Sequence, residues 1–365
     1  MVAGARRRRG FAALEDGGMK YRTYPKTEIA VSEVGFGLWT TATGWWGTMS
    51  DETAVNLLHE AFELGITLFD AADTYGNGRS EEQLGAAFHE RRDRVVYSTK
   101  FGYDFYTYAG ERKGQNEIPQ DFSPSFVRFA LEQSLRRLRT EYVDIYSIHN
   151  ARLSEIENDE LFALLEEFKR EGKVRSYGVA LGPAIGWLVE GQDAATRRNV
   201  TNIQMIMNIL EPFPGNQMLT AADEAEADTG YQIRVPHSSG MLEGKYTLET
   251  TFAPSDHRSH RPRSWLVNGI KKIETLRFLE NERRTLGQAA IQWLLAEPRV
   301  MTVLPNIYDR EQLREFAGAP QTPALSPGEL ERIGQLAASN FGVEEPPMNY
   351  KGTMSRPAVP AGNVR

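Results

Sequence analysis

Four side chains of complementary chemistry follow three successive apolar runs in the first half of this 365-residue sequence. Asp70 and Tyr75 come after the first run, Lys100 after the second and His149 after the third. The carboxyl ends of neighbouring parallel strands meet at one edge, so these groups are expected to share a site if the three runs are such strands. The set comprises a carboxylate, a phenol, an ammonium and an imidazole.

Together these groups could transfer a proton to or from a carbonyl compound. Tyrosine has a reference pKa of about 10 and is a poor proton donor at neutral pH, but a nearby ammonium favours the phenolate. Lys100 would do this for Tyr75, while Asp70 keeps Lys100 charged and oriented. His149 can donate a hydrogen bond to a carbonyl oxygen and stabilise negative charge there. Because no side chain supplies a hydride, the assembly implies a nicotinamide cofactor.

Each of the four residues also has an ordinary structural interpretation. An aspartate at a strand end often caps a loop, a tyrosine often packs in a core, and a lysine can extend along apolar surface into solvent. A lone histidine commonly satisfies a local hydrogen bond. Four complementary groups on adjacent strands favour a catalytic site over these four separate interpretations.

Strand-like and helix-like segments alternate from Met19 onward, which is typical of a parallel sheet covered by helices. Eight such units predict an α/β fold of the closed (β/α)8 type, a TIM barrel, with catalytic groups at the carboxyl ends of its strands. An open dinucleotide-binding sheet is disfavoured because no G-x-G-x-x-G turn follows the early strands. The predicted strands are Val34–Gly37, Thr67–Asp70, Val95–Thr99, Val143–Ile148, Val174–Ala180, Ile203–Met207, Tyr231–Pro236 and Met301–Leu304.

The chain is predicted to have three segments. Residues 1–18 form a disordered leader without function, residues 19–342 a single barrel domain that begins with a short hairpin, and residues 343–365 a C-terminal tail after the last helix. The basic run Arg6–Arg9 in the leader is not followed by an apolar segment long enough for a signal peptide. The tail is expected either to fold over the rim of the barrel or to be disordered.

Composition narrows the class of protein and its partners. The sequence is 41% hydrophobic and 25% charged, which is typical of a soluble globular protein. A net charge of -7 gives no electrostatic footprint for nucleic acid. No apolar run approaches the roughly 20 residues that span a membrane. The absence of cysteine excludes disulfides and thiolate sites and fits a cytoplasmic location. The oligomeric state is not indicated.

A helix is predicted to begin shortly after Tyr75. A turn is expected at Gly76-Asn77-Gly78, and Ser80 is expected to cap the helix that follows it. Gln83, three residues later, would complete a capping box.

The polar segment Asp256–Arg263 (DHRSHRPR) contains two histidines three residues apart. Few carboxylates lie near them, which makes a poor zinc set, so no metal site is predicted. We expect a loop that covers the cofactor or faces solvent. A metal-dependent barrel hydrolase is disfavoured because no further cluster of histidine and aspartate follows the strands.

The motifs around these residues resemble those of the aldo-keto reductase family from Met19 to about Ala338. They read GITLFDAADTYGNGRSEEQLG, VVYSTKFG, VDIYSIHN, GKVRSYGVA and GQAAIQWLL. The resemblance implies that Asp70, Tyr75, Lys100 and His149 match the catalytic residues of the family. It also implies a barrel that binds extended NAD(P)(H) across its carboxyl rim and reduces aldehydes or ketones.

The resemblance further implies a set of cofactor contacts. NADP(H) is favoured over NAD(H), although the positions of the usual 2′-phosphate ligands hold Asn306 and Gln312, which leaves Arg310 and Arg314 as candidates. A helix N-terminus in this region would also favour a phosphate. The predicted contacts are Gly37, Trp39, Thr40, Asp70, Gln204, Arg234, Val235, Pro236, His237, Ser238, Gly240, Leu242, Lys245, Pro305, Asn306, Tyr308 and Gln312.

Two positions depart from the family pattern. The Ser-Asn pair that holds the nicotinamide carboxamide is replaced by Ala180 and Leu181, so its recognition is expected to be weaker or moved to backbone groups. The tyrosine that stacks on the nicotinamide is replaced by Arg234, whose planar guanidinium can also stack. We hypothesise that its charge disfavours the oxidised cofactor. The alternative is that Arg234 turns away toward a carboxylate.

The substrate is expected to be a small carbonyl or alcohol compound, such as an aldehyde, a ketone or a sugar. Aromatic residues in the rim loops predict a flat apolar pocket wall suited to sugars or cyclic ketones. A non-catalytic, cofactor-sensing subunit on the same barrel is the rival function, and turnover of a generic aldehyde would separate the two. The predicted pocket comprises Trp45, Trp46, Tyr75, Phe101, Phe105 and His149.

Overall fold

The computed structural model describes residues 18–110 and 117–356. A two-stranded hairpin precedes an eight-stranded parallel sheet whose strands follow chain order. The sheet closes because Gly35 N donates to Val303 O and Val303 N donates to Glu33 O, both at 2.9 Å. The predicted (β/α)8 barrel is therefore confirmed. The strands are β1 Tyr21–Thr23, β2 Ala30–Ser32, β3 Phe36–Gly37, β4 Leu68–Asp70, β5 Val96–Phe101, β6 Val143–His149, β7 Val174–Ala180, β8 Asn202–Ile206, β9 Gly230–Arg234 and β10 Val300–Leu304.

The end of β5 differs from the predicted strand in a way that affects the site. Lys100 lies inside β5 rather than after it. Because side chains alternate along a strand, Lys100 points into the barrel and Phe101 points toward the surrounding helices. The Phe101 ring is fully buried and stacks on Tyr146 with 4.4 Å between ring centres. Its predicted place in the substrate pocket is therefore wrong.

Helices cover the outside of the barrel with their apolar faces. The second of them begins with a side-chain cap, since the Ser50 side chain accepts a hydrogen bond from Thr53 N at 3.1 Å. The helices are α1 Trp39–Ala42, α2 Asp51–Glu63, α3 Arg79–Phe88, α4 Pro124–Leu138, α5 Leu153–Glu157, α6 Asp159–Arg170, α7 Leu188–Thr196, α8 Gly215–Glu224, α9 Arg263–Leu276, α10 Leu286–Leu295, α11 Arg310–Ala317 and α12 Pro327–Ala338. Single turns of 3-10 helix include Met241–Glu243 and His257–His260.

The predicted capping box of α3 is wrong. The residue at its N-cap is Gly78, whose φ of 98° turns the chain directly into the helix. The Ser80 hydroxyl instead donates to Ala72 O at 2.8 Å and accepts from Ala72 N. The Gln83 side chain accepts from Thr41 and donates to Asp51. Ser80 therefore fixes the loop that follows β4.

The hairpin of β1 and β2 closes the amino end of the barrel. Tyr24, Ile29 and Val31 pack against the first inward-facing residues of the strands. The Tyr24 hydroxyl, fully buried, donates to Asn202 Oδ1 at 2.8 Å. Because the hairpin closes the amino end of the barrel, only the rim formed by the carboxyl ends of the strands is open.

The C-terminal segment packs against α7 as far as residue 356. Trp187 N donates to Lys351 O at 2.8 Å, and Thr353 N donates to Glu190 at 3.1 Å. Residues 343–356 of the predicted tail are therefore folded and not disordered.

Part of the predicted domain division falls outside the described residues. Residues 1–17 of the predicted leader and residues 357–365 of the tail lie there, so the division into leader, barrel domain and tail stays a prediction. Within residues 18–110 and 117–356, no helix has the length and apolar character needed to cross a membrane.

Candidate active site

Asp70 and Lys100 form a buried ion pair at the rim. Lys100 Nζ lies 2.7 Å from Asp70 Oδ2 and donates a second hydrogen bond to Ala71 O at 2.7 Å. Ser98 Oγ donates to the other carboxylate oxygen at 2.9 Å. Only 1% of the Lys100 side chain and 6% of the Asp70 side chain are exposed. Both charges are therefore held in one orientation, away from solvent.

Tyr75 lies beside both Lys100 and His149. The Lys100 ammonium is 4.9 Å from the centre of the Tyr75 ring. The rings of Tyr75 and His149 meet edge to face with 5.6 Å between their centres. The strand ends thus bring the four predicted residues together, and the hydrogen bonds of Ser80 to the preceding loop support Tyr75.

The surroundings of Lys100 keep it protonated. Burial by itself lowers the pKa of an ammonium, but the negative charge of Asp70 opposes this most strongly, followed by that of Tyr75 when ionised. The net result is that the pKa of Lys100 is raised above its ordinary value. Arg234 acts in the opposite direction. Lys100 therefore carries its charge at neutral pH.

Tyr103 is a further residue of the site that the sequence did not indicate. Its ring packs edge to face on His149 with 5.0 Å between ring centres. Its hydroxyl donates to Glu117 and accepts from Asn150 Nδ2 at 2.6 Å. Burial, followed by the neighbouring Glu117, raises the pKa of Tyr103. Tyr103 therefore stays protonated and holds one side of the His149 ring.

Arg234, at the end of β9, is anchored to the backbone that follows β7. Its Nη2 donates to Leu181 O at 2.8 Å and also to Gly182 O. Among the described residues, no carboxylate pairs with Arg234. The predicted alternative, in which Arg234 turns to a carboxylate, is therefore wrong. Burial lowers the pKa of Arg234, while Tyr75, Asp70 and Tyr103 raise it in turn. The guanidinium therefore lies within electrostatic reach of Tyr75, Asp70 and Tyr103.

The predicted carboxamide-binding region is buried at this edge of the barrel. Gln204 lies on β8, and its Nε2 donates to Gln232 Oε1 at 3.0 Å. Ala180 and Leu181 are both buried, and Leu181 N donates to Gln204 O. Side-chain amides and main-chain groups are therefore present here, but neither Ala180 nor Leu181 adds a polar side chain.

The turn after β9 suits a phosphate group. Val235, Ser238 and Ser239 have positive φ angles of 57°, 47° and 58°, and Gly240 follows with 90°. Consecutive residues in such conformations direct their amide groups to one side and form an anion-binding concavity. The residues present therefore fit the pyrophosphate of a dinucleotide.

Several side chains in this turn that were predicted to contact the cofactor instead contact other residues of the protein. His237 Nε2 contacts Gly287 O at 3.0 Å, and Leu242 is fully buried in an apolar cluster. Both side chains face the core, so their predicted contact with the cofactor is limited to the backbone. Ser238 Oγ donates to Glu211, and Lys245 Nζ lies 3.4 Å from Glu315. Pro236 connects β9 to this turn.

The loops after β3 and β10 are joined at the rim. Thr40 Oγ1, in α1, donates to Ile307 O at 2.7 Å. Gly37 ends β3, Trp39 begins α1, and Pro305 directly follows β10. These predicted contact residues therefore lie side by side at one point of the rim.

Two arginines at the start of α11 share one carboxylate. Arg310 Nε lies 2.9 Å from Glu60 Oε2, and Arg314 Nη2 lies 2.7 Å from Glu60 Oε1. Both arginine side chains remain about two-thirds exposed. Gln312 is buried and donates to Glu243 at 3.2 Å, while Asn306 lies in the loop between β10 and α11.

Three tryptophans form an aromatic cluster between the β3 loop and the loop that carries His257. Trp39 packs on Trp45 and Trp46 with ring centres 6.1 and 6.2 Å apart. Trp46 stacks on Tyr308 at 5.8 Å. His257 contacts all three tryptophans and donates its backbone N–H to Trp45 O at 3.0 Å. The segment predicted to cover the cofactor or face solvent therefore packs on the rim.

Phe105 lies apart from this cluster. It stacks on Tyr106 with 4.0 Å between ring centres, and Tyr106 in turn contacts Phe126 and Phe129 of α4. Phe105 is thus placed over α4, so its predicted place in the pocket wall is not supported by its contacts. Within residues 18–110 and 117–356, no group of three or more acidic or histidine residues is arranged to hold a metal ion.

Sequence and structure comparisons agree on the family. The Aldo/keto reductase family profile matches residues 33–338. The aldo-keto reductase YhdN of Bacillus subtilis (strain 168) is 30% identical over 90% of this chain and 91% of its own length. The NADH-specific methylglyoxal reductase of Escherichia coli (strain K12) is 28% identical over 80% and 91%. The holo structure of aldo-keto reductase AKR11C1 from Bacillus halodurans superposes with a TM-score of 0.69 and 26% identity, covering 87% of this chain and 96% of that chain.

The barrel and the four residues at its rim define an oxidoreductase of the carbonyl-reducing type. The chain belongs to the Aldo/keto reductase family and is an NAD(P)(H)-dependent oxidoreductase.

Proposed function

We propose that Tyr75 is the general acid and base of a reaction that interconverts a carbonyl compound and an alcohol. The observation that supports this assignment is the packing of Tyr75 between the Lys100 ammonium and the His149 ring. When bound, a nicotinamide cofactor supplies or accepts the hydride. The residues of this chain manage the proton and the oxygen.

In the direction of reduction, the Tyr75 hydroxyl donates its proton to the carbonyl oxygen as negative charge develops there. The phenolate that remains is stabilised by Lys100, whose charge is held by Asp70. His149 donates a hydrogen bond to the same oxygen and orients it. Oxidation of an alcohol uses the same contacts, with Tyr75 accepting the proton.

The variant Tyr75→Phe tests this assignment with 4-nitrobenzaldehyde and a reduced cofactor. We expect kcat to fall by about 100- to 10,000-fold because the proton donor is lost. Cofactor binding, followed by quenching of tryptophan fluorescence, should not change. Tyr177→Phe is the matched control because the Tyr177 hydroxyl contacts Glu166 on the outer surface. Normal turnover in Tyr75→Phe would overturn the assignment, and a wild-type protein without turnover would favour the cofactor-sensing subunit.

We also propose a modest preference for NADP(H) over NAD(H). Arg310 and Arg314 share the single carboxylate of Glu60 and keep about two-thirds of their side chains exposed, so both guanidiniums can also reach a ligand. Guanidinium groups suit a 2′-phosphate. The double variant Arg310→Ala/Arg314→Ala should raise KM for NADPH about tenfold or more and change KM for NADH little. A wild-type preference for NADH, the cofactor in the name of the E. coli relative, would contradict this proposal.

The proposed substrate is a small aldehyde, ketone or sugar. The aromatic wall formed by Trp45 and Trp46 supports this class, because flat apolar surfaces bind the faces of sugars and cyclic ketones. The name of the E. coli relative, a methylglyoxal reductase, also supports a small carbonyl compound. Comparison of kcat/KM for methylglyoxal, an aldose and cyclohexanone would test the class. Equal, very low values for all three would contradict it.

A further inference from the structure

We propose that Trp187 is a positioning residue, which the C-terminal segment of the chain holds against the loop that orients Arg234 at the catalytic rim. This segment, the C-terminal strap, comprises residues 345–356. The inference rests on the proposed function in one respect, because the cofactor must deliver its hydride to the carbonyl that Tyr75 protonates.

The C-terminal strap crosses the connections that follow three successive strands of the barrel. Glu345 pairs with Lys272 of α9, after β9. The Tyr350 ring meets Phe213, in the loop after β8, edge to face with 4.9 Å between ring centres. Thr353 O accepts a hydrogen bond of 3.0 Å from a backbone N–H of α7, after β7. The strap therefore links these three connections to one another.

The backbone of Trp187 has a conformation that needs support from its surroundings. Its φ of 66° and ψ of 38° are left-handed, which is unfavourable for a residue with a bulky side chain. The strap provides the support, since Trp187 N donates to Lys351 O at 2.8 Å and Lys351 N donates to Ile185 O at 3.0 Å. The two segments approach so closely that a Cβ at Gly186 would lie 2.1 Å from Lys351 O. The strap thus fixes the backbone just before α7.

The Trp187 ring is held between the strap and the loop after β7. A Cβ at Gly352 of the strap would lie 2.4 Å from this ring, and a Cβ at Gly182 of the loop would lie 2.0 Å from it. The ring nitrogen donates to Ala184 O at 3.0 Å. The Arg152 guanidinium lies 4.5 Å from the ring centre. A displaced strap would therefore displace the ring and, with it, the backbone of Gly182.

Gly182 connects Trp187 to the catalytic rim. The carbonyl oxygens of Leu181 and Gly182 accept hydrogen bonds from Arg234 Nη2. Tyr75 raises the pKa of Arg234 and so lies within electrostatic reach of it. A shift of Trp187 that moves these carbonyls would therefore move the guanidinium beside the proton donor, and the reactive end of the cofactor has to reach the same point.

Two glycines of matched backbone conformation test this arrangement. Gly352 in the strap and Gly342 before it have φ angles of 68° and 72°. A Cβ at Gly352 would clash with the Trp187 ring, whereas among residues 18–110 and 117–356 nothing lies within 4 Å of a Cβ at Gly342. Alanine therefore strains the backbone in both variants but displaces Trp187 only in Gly352→Ala.

Calorimetry with the full chain measures the dissociation constants of NADPH and of 2′-phosphoadenosine diphosphoribose, which lacks the nicotinamide. NADH and adenosine diphosphoribose form the matching pair if NADH binds more tightly. We expect Gly352→Ala to raise the ratio of the NADPH constant to that of the fragment about tenfold, because the displaced guanidinium affects the nicotinamide end only. Gly342→Ala should leave the ratio unchanged. An unchanged ratio in Gly352→Ala, or an equal change in both variants, would overturn the inference.

The variant Arg234→Met separates an effect through Arg234 from a general structural role of the strap. In this background Gly352→Ala should no longer change the ratio, because the group that it displaces is gone. The same change in both backgrounds would show that the strap acts independently of Arg234 and would overturn the inference.

Trp187→Phe is the milder variant, for the case in which Gly352→Ala does not fold. The smaller phenyl ring loses the contact of the indole with Gly182 and its hydrogen bond to Ala184 O. We expect it to raise the ratio by a smaller factor than Gly352→Ala. An unchanged ratio in Trp187→Phe would equally overturn the inference.

These binding measurements need no turnover, so the two proposals can fail separately. If the ratio responds as expected but Tyr75→Phe keeps normal turnover, the role of Trp187 stands and the proposed function falls. If the ratio does not respond but Tyr75→Phe is inactive, only the role of Trp187 falls.

Discussion

Replacing Asp70 by asparagine removes the charge beside Lys100 and preserves the shape of the side chain. The amide oxygen can still accept from Lys100 Nζ, and the amide nitrogen can donate to Ser98 Oγ. The Lys100 side chain is 1% exposed, so solvent cannot replace the lost charge. Removing one partner of a buried ion pair typically costs about 3–5 kcal/mol. We expect the free energy of unfolding at pH 7 to fall by this amount.

The loss should depend on pH in a defined direction. In the wild type the pKa of Lys100 is raised above 10.5, so the ion pair contributes its full stability below pH 10.5 and loses it only as the pH rises through the folded-state pKa. In the variant, burial acts without Asp70 and the pKa falls below 10.5. The folded variant then releases the proton before the unfolded chain does, and its stability rises with pH. The deficit should therefore be largest near neutral pH and shrink toward pH 10.

Urea unfolding at several pH values between 6 and 10 measures this deficit, with the six tryptophans as the fluorescent probe. Ser98→Ala is the matched control because it removes a hydrogen bond to Asp70 and leaves both charges in place. It should cost about 1 kcal/mol at every pH. A deficit for Asp70→Asn below about 1 kcal/mol, or one that stays constant with pH, would show that the charge of Asp70 does not stabilise Lys100.

Two further predictions concern buried groups other than Asp70, Tyr75, Lys100 and His149. Burial, followed by the charge of Glu81, raises the pKa of Asp73 well above its usual range, so wild-type stability falls as the pH rises above about 4. Asp73→Asn should therefore stabilise the protein by at least about 1 kcal/mol at pH 8 and not at pH 4, as measured by urea unfolding. The control Asp144→Asn removes a carboxylate paired with two arginines and should destabilise the protein by about 3–5 kcal/mol. Stabilisation at pH 8 by both variants, or by neither variant, would contradict the prediction. Burial lowers the pKa of His237 from 6.5 to about 4, so stability should be lost as the pH falls through this interval, by up to about 3 kcal/mol. His237→Gln should remove this loss of unfolding free energy between pH 7 and pH 4.5. An equal loss in the wild type and the variant would contradict the lowered pKa of His237.

The barrel could be predicted because its signals are local and repeated. Each barrel strand is a short apolar run, and helices of period 3.6 separate the runs. The strand Val174–Ala180 has the predicted boundaries. The Asp70–Lys100 pair followed from this topology, since β4 and β5 are adjacent and parallel.

The errors arose where a distant contact replaced a local one. Ser80 and Gln83 have the spacing of a capping box, but Ser80 bonds to Ala72, and Gln83 bonds to residues of the preceding helices. Tyr103 and Glu117 are hydrogen-bonded although they lie 14 positions apart in the sequence, a separation that no short motif encodes. Distant hydrogen bonds of this kind depend on the assembled rim and leave no periodic pattern in the sequence.

Two charged neighbours of Lys100 have opposite effects on its pKa. Asp70 raises the pKa of Lys100, whereas the positive charge of Arg234 lowers it. Because the pKa of Lys100 is raised overall, the charge of Asp70, with that of Tyr75 when ionised, outweighs both burial and Arg234. Lys100 therefore keeps its proton although a second cation lies nearby.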